Sequence, residues 1–77
     1  MKTNRAVIIL HMLFCLREKG VFTEKQIIED LAISRSSFFR AISEFRCYLQ
    51  EFKPWYELAS NEKKGGYVLI ELNQSVK

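Results

Sequence analysis

The sequence has few of the residues that cross-link a chain, bind metals or break secondary structure. Its 77 residues include one proline, three glycines, two cysteines and one histidine. Two cysteines cannot build a disulfide framework, and one histidine cannot complete a zinc site with cysteines in no metal-type spacing. The most apolar segment, 6–16, is shorter than the roughly 20 residues of a membrane helix. We therefore expect no metal, no cofactor and no membrane contact, and two reduced thiols in a cytoplasmic protein.

Length and composition predict one small folded domain. Apolar residues make up 48% of the chain and charged residues 27%, which is typical of a globular protein and not of a disordered or collagen-like one. The length excludes a multidomain enzyme, a solenoid and a large cofactor-binding fold. The net charge is only +3, so the placement of the positive residues is more informative than their number.

The sequence pattern predicts three helices followed by a β-hairpin. Gly20 is a favoured residue just after a helix, and Thr23 and Ser34 are favoured caps at the start of one. Pro54 prevents the last helix from continuing, and Gly65 and its glycine neighbour mark a turn between two strand-forming segments. The predicted elements of a single domain, 1–77, are a first helix over 5–19, a second over 23–31, a third over 34–52 and a hairpin over 55–72.

The third helix has a clear apolar face, whereas the first is apolar on nearly every side. In the third helix, the residues at core-facing spacing are Phe38, Ala41, Ile42, Phe45 and Leu49. In the first helix, we expect the buried stripe to be Ala6, Ile9, Leu13 and Leu16. The opposite side would then carry Val7, Ile8, His11, Phe14 and Cys15. A surface helix is normally polar on that side, so this surplus predicts contact with a partner.

No group of residues in the sequence is typical of an enzyme. His11 lies in an apolar run, where a packed imidazole is far commoner than a catalytic one. The pair Gly65-Gly66 lacks the surrounding pattern of a phosphate-binding loop. We therefore expect a binding protein and no catalytic residues.

Positive charge concentrates on the third helix and at the tip of the hairpin. Between positions 34 and 50, three arginines stand against one glutamate, whereas the second helix is net negative. An α-helix fits the major groove of DNA, and arginine, serine and glutamine side chains reach phosphates and base edges. Arginines on an exposed helix are nevertheless most often plain solvated surface. The charge alone therefore does not establish DNA binding, and the order of the elements is the stronger indication.

The segment 22–42 resembles the helix-turn-helix of DeoR-type and related bacterial winged-helix regulators. Its Ser34–Arg40 stretch is similar to the start of the recognition helix in that family, and 65–69 is similar to the strand that returns from the wing. Ala32 stands where the turn of the family commonly has glycine. The resemblance implies an α+β winged helix-turn-helix and a small transcriptional regulator, such as a repressor, that binds specific sequences of double-stranded DNA.

The resemblance also implies which residues contact DNA. The recognition helix would enter the major groove, and the wing would lie on the backbone or in the minor groove. The residues that it places on DNA are Arg35, Ser36, Ser37, Phe39 and Arg40 on the helix, with Lys63 and Lys64 on the wing. We add Ser43, which lies on the same predicted outer face, as a further group that could read bases.

One helix and one wing bury a modest area on DNA, so we expect a homodimer that doubles the contacts. The expected dimer surface is the first helix with part of the hairpin: Val7, His11, Phe14, and with them Val68 and Ile70. The alternative is a winged-helix module that binds another protein, as an adaptor or antirepressor, without contacting DNA. DNA affinity falls steeply with rising salt, whereas an apolar interface does not, which separates the two.

Overall fold

The computed structural model describes residues 4–61, 63 and 65–72, and it shows three helices followed by a two-stranded antiparallel hairpin. The elements are α1 (Arg5–Lys19), α2 (Glu24–Leu31), α3 (Arg35–Phe52), β1 (Tyr56–Asn61) and β2 (Gly66–Glu71). This confirms the predicted winged helix-turn-helix architecture. Within the described ranges, no helix combines the length and the apolar character that crossing a bilayer requires.

A side-chain cap starts each helix. The Thr23 hydroxyl accepts a hydrogen bond from the amide of Gln26 at 3.0 Å. The Ser34 hydroxyl accepts one from the amide of Ser37 at 3.1 Å, and Asn4 caps α1 in the same way. These bonds satisfy first-turn amides that have no partner inside the helix. Because the two caps are only eleven residues apart, α2 and α3 are separate helices joined by a short turn.

The wing is joined to the helices through Phe22, which precedes α2. The Phe22 amide donates to the Tyr67 carbonyl at 3.1 Å, and the Tyr67 amide donates to the Phe22 carbonyl at 2.7 Å. The two rings also stack with their centres 5.3 Å apart. Phe38 of α3 lies edge-on to both rings, at 6.3 and 5.9 Å. One aromatic cluster thus links the helix-turn-helix to β2 and fixes where the wing stands relative to α3.

Gly66 allows the wing to approach Phe22 this closely. A Cβ atom on Gly66 would lie 2.2 Å from the Phe22 carbonyl oxygen, which no real structure tolerates. The sequence indicates two turn glycines that serve for their backbone freedom. In the structure that reason holds for Gly65, whose φ is +75°. Gly66 instead begins β2 and has no side chain because another backbone occupies the space.

The predicted rotation of α1 about its axis is wrong. The buried residues of this helix are Ile8, Met12, Cys15 and Leu16. Leu13, expected inside, is 45% exposed, and Ala6 is exposed as well. Ile8 and Cys15, expected on the outer side, belong to the core. Because α1 is apolar all round, several rotations satisfy helical spacing, and packing against the other elements selects one. The predicted apolar face of α3 is buried throughout.

Ala32 closes α2 in the left-handed conformation, with φ of 54° and ψ of 49°. A residue with a Cβ atom is strained there by about 1 kcal/mol relative to glycine. We therefore expect Ala32→Gly to raise the free energy of unfolding by up to about 1 kcal/mol and the Tm by roughly 4–8 °C in thermal denaturation. The reverse change, Gly20→Ala, replaces a glycine with φ of +79° in open space, and it should lower the Tm. A lower Tm for Ala32→Gly would show that the left-handed conformation of Ala32 does not strain the backbone.

Candidate nucleic-acid interface

The outer face of α3 presents five of the predicted DNA-contacting residues to solvent. Burial of the opposite face against α1, α2 and β1 sets this orientation. The exposed residues are Arg35, Ser36, Phe39, Arg40 and Ser43. Since they lie on the first three turns of the helix, this end of α3 is the part of the molecule that can enter a groove.

Arg40 is the freest cation on this face. It borders a shallow crevice together with Arg5, Ser43 and Glu44. Glu44 forms its ion pair with Arg5, at 2.8 Å. Within the described part of the chain, the Arg40 side chain has no hydrogen bond or ion pair. Its charge is therefore available to a ligand, whereas the charge of the neighbouring Arg5 is paired with Glu44.

Arg35 is exposed but already has a partner. Its Nε donates a hydrogen bond to Oε2 of Glu24 at the start of α2. The guanidinium carbon lies 5.4 Å from the centre of the Phe39 ring. The hydrogen bond, and then the charge of Glu24, raises the pKa of Arg35 above its ordinary value. Contact with a phosphate would require Arg35 to exchange or share this carboxylate, which the sequence pattern does not indicate.

One of the predicted polar groups, Ser37, has different surroundings from Ser36 and Ser43. Ser37 is half-buried, and its hydroxyl accepts a hydrogen bond from the Ser34 hydroxyl at 3.1 Å. Ser37 is thus part of the helix cap and does not lie on the exposed face with Ser36 and Ser43. The hydroxyl groups of those two residues face solvent.

Arg46, counted in the positive charge of α3, stabilises the wing. Its Nε and Nη2 both donate to the Leu58 carbonyl of β1, at 3.2 and 3.1 Å. The guanidinium carbon also lies 6.0 Å from the centre of the Tyr67 ring in β2. These contacts occupy the charge, so the free positive charge of α3 is smaller than the sequence indicates and concentrates at Arg40.

The wing tip adds positive charge near the first turns of α2 and α3. Lys63 is exposed in the turn, and Lys64 lies outside the described residues. Gly65 borders the same crevice as Arg35 and Lys25. Sequence reasoning missed Lys25 because α2 is net negative as a whole. The position of Lys25 in the first turn of a helix-turn-helix, where α2 and α3 converge, is the clue that could have identified it.

The residues predicted for a dimer surface differ in exposure. Val7 is 45% exposed, Phe14 58% and Ile70 41%, whereas His11 and Val68 are half-buried. His11 Nε2 donates to Oδ2 of Asp30 at 3.0 Å, which ties α1 to α2. His11 therefore has a partner inside its own chain.

The two cysteines are free thiols, with Cys15 buried and Cys47 exposed. Burial, and next the charge of Asp30, raises the pKa of the Cys15 thiol, so that it stays protonated at neutral pH and is a poor nucleophile. The amide group of Gln26 donates to its sulfur at 3.7 Å. Among residues 4–61, 63 and 65–72, no cluster of histidine, cysteine and acidic side chains has the arrangement of a metal site.

A family model described as Mga helix-turn-helix domain matches residues 1–64 of the chain. No curated protein and no solved structure gives a match. The family match supports the prediction of a winged helix-turn-helix regulator domain. The narrower likeness to DeoR-type regulators stays a prediction.

Proposed function

The chain belongs to the Mga helix-turn-helix domain family, and from this premise we propose that it binds specific sequences of double-stranded DNA and regulates transcription. Helix-turn-helix domains are in general DNA-binding and not catalytic. The observation that supports the proposal most is the exposed, unneutralised Arg40 between Ser36 and Ser43 on one face of α3. The opposite face of the same helix is fixed in the core, so these groups project together.

In the proposed complex, the first turns of α3 lie in the major groove. Arg40 is the group best suited to read a base, because a guanidinium donates two parallel hydrogen bonds to the edge of guanine. Ser36 and Ser43 supply short hydroxyl groups that reach base edges or phosphates. Phe38 and Ile42, both buried, hold the helix so that this face points away from the protein.

Phosphate contacts would come from the surrounding cations. Lys25 flanks the exposed face of α3, and Lys63 and Lys64 belong to the wing that we propose lies on the backbone or in the minor groove. Arg5 and Arg35 join them when a phosphate replaces Glu44 or Glu24 as their partner. These contacts position the domain on DNA without reading its sequence.

We expect Arg40→Ala to weaken binding to the preferred duplex by about 1–3 kcal/mol, because a bidentate base contact is lost. The preferred duplex is first selected from a random library, and affinities are measured by gel-shift titration. Lys53→Ala is the matched control, since it removes the same charge from the far end of α3 and should change affinity little. Equal affinities for Arg40→Ala and the unaltered chain would remove Arg40 from the interface.

The same titration at two salt concentrations separates DNA binding from the alternative of a protein-binding module. Displacement of counterions at four phosphates lowers affinity roughly 100-fold between 50 and 200 mM salt. Absence of binding to any duplex at 50 mM salt would contradict the proposed function. It would favour the adaptor or antirepressor alternative, whose apolar interface is insensitive to salt.

A homodimer through α1 remains part of the proposal, because two copies would place two α3 helices on one duplex. The exposed Val7 and Phe14 support a contact on α1. The half-buried His11, bonded to Asp30, supports it less. The exposed apolar surface of α1 extends beyond these residues to Leu10 and Leu13.

A further inference from the structure

Glu44 lies where its carboxylate can pair with either of two arginines. On α3 it follows Arg40 by four residues, and side chains at that spacing are neighbours on the surface of a helix. Arg5, the first residue of α1, reaches the same carboxylate from the other helix, and its Nε lies 2.8 Å from Glu44 Oε2. The three side chains border one shallow crevice together with Ser43. Whether Arg40 carries a free charge therefore depends on which arginine holds Glu44.

Two features of the local structure favour Arg5 as the partner of Glu44. In a helical pair four residues apart, an arginine that precedes the glutamate has the less favourable orientation, and this is the order of Arg40 and Glu44. Arg5 stands in the first turn of α1, which contains no acidic residue, and the helix dipole disfavours a positive charge there. Pairing with Glu44 offsets that charge. Without Arg5, the carboxylate would have Arg40 as the cation one turn away on its own helix.

We propose that Arg5 is a positioning residue, which holds Glu44 so that the guanidinium of Arg40 stays free to read a base. A bidentate contact with guanine uses two N–H groups of the guanidinium, and a carboxylate bound to Arg40 would compete for them. The inference deepens the proposed function and rests on it for the DNA complex. The pairing of Glu44 itself is a property of the free chain.

Phosphate contact by Arg5 and base reading by Arg40 oppose each other in this arrangement. A phosphate that takes Arg5 releases Glu44, and the released carboxylate is one helical turn from Arg40. In the complex with the preferred duplex, Arg5 therefore keeps Glu44, and the other cations supply the phosphate contacts.

Chemical labelling tests the pairing without DNA. Phenylglyoxal modifies free guanidinium groups, and mass spectrometry of peptides gives the rate at each arginine. Arg5→Gln should slow the labelling of Arg40 about two-fold, the population shift expected of a helical ion pair, and adding Glu44→Gln should restore the rate. Arg17, exposed near the other end of α1, is the internal reference. Circular dichroism checks that the variants keep their helices.

Glu24→Gln is the matched control for Glu44→Gln. Glu24 is also paired with an arginine of α3, but its partner is Arg35. Added to Arg5→Gln, Glu24→Gln restores the net charge without freeing Arg40, so the labelling of Arg40 should stay slow. Arg5→Lys keeps a cation that can pair with Glu44, and it should keep Arg40 at the rate of the unaltered chain.

The consequence for DNA is measured as the ratio of affinities for the preferred and a random duplex. Arg5→Gln should lower this ratio about three- to ten-fold, which is part of the discrimination that a bidentate base contact provides. Adding Glu44→Gln should restore the ratio, whereas adding Glu24→Gln should not. A residue that only contacts phosphate changes both affinities equally and leaves the ratio as it was.

Either of two results would overturn the proposal. One is that Arg40 is labelled equally fast in Arg5→Gln and in the unaltered chain. The other is that Arg5→Gln lowers both affinities by the same factor, which would make Arg5 a plain phosphate contact. The proposed function fails separately, through absent binding to every duplex at low salt. The labelling rates would still show in that case whether Arg5 holds Glu44 away from Arg40.

Discussion

Replacing Phe38 by alanine is expected to lower the free energy of unfolding by about 3–5 kcal/mol, the usual cost of removing a buried phenylalanine. A chain of this length has a total stability of about 4–12 kcal/mol. The Tm should fall by at least about 12 °C, and the weaker end of that stability range leaves the variant unfolded at room temperature. Urea denaturation followed by circular dichroism measures the loss.

The large effect follows from the position of Phe38 among the elements. Its ring is fully buried and meets those of Phe22 and Tyr67, so it joins α3 to the start of α2 and to β2. Neighbouring rings in edge-to-face contact lose that interaction in addition to the buried area. The cavity would open where α3 is attached to the wing.

Phe39→Ala is the matched control for this prediction. Phe39 is the next residue on α3 and is also a phenylalanine, but it is 41% exposed. Its removal loses the edge-to-face contact with Phe38, at 5.1 Å, and the stacking with Arg35, which together cost about 1 kcal/mol. If the two variants lost similar amounts of unfolding free energy, the prediction that Phe38 joins α3 to the rest of the core would be wrong.

Replacing Gly66 by alanine is expected to lower the free energy of unfolding by about 2–3 kcal/mol. The added methyl group would overlap the Phe22 carbonyl oxygen and approach Thr23 Cγ2 to 3.0 Å. Because the nearest atoms belong to the backbone, they cannot move aside as a flexible side chain would. The two hydrogen bonds between Phe22 and Tyr67 must lengthen or break.

Gly65→Ala separates steric overlap from backbone conformation. Gly65 has a positive φ, but nothing lies within 4 Å of the space where its Cβ would be, so this change costs only about 1 kcal/mol. Amide hydrogen exchange provides the second measurement. The amides of Phe22 and Tyr67 should lose protection in Gly66→Ala and keep it in Gly65→Ala. Unchanged protection in both would contradict the close approach.

Most of the fold could be predicted from the sequence because its determinants are local. Thr23 and Ser34 mark the starts of α2 and α3, because their hydroxyl groups accept hydrogen bonds from amides three residues later. The apolar face of α3 repeats at helical spacing against a polar side, so only one rotation buries it. These features led to the winged helix-turn-helix and to the exposed face of α3 that carries Arg40.

The candidate site could be predicted only in part. Arg40, Ser36 and Ser43 are exposed as their spacing indicates. The availability of the other cations depends on neighbours that are distant in the chain. Glu24 pairs with Arg35, and the Leu58 carbonyl binds Arg46. Charge counting along one helix cannot reveal either contact, since each involves a different element.

By itself, the sequence determined the order of the elements, their caps and the buried face of α3. Each of these follows from interactions between residues a few positions apart. The tertiary structure alone decided the rotation of α1, the steric requirement at Gly66 and the gathering of Arg5 and Lys25 around α3. A helix that is apolar on every side has no preferred rotation until it packs, and contacts between elements depend on how close packing brings their backbones.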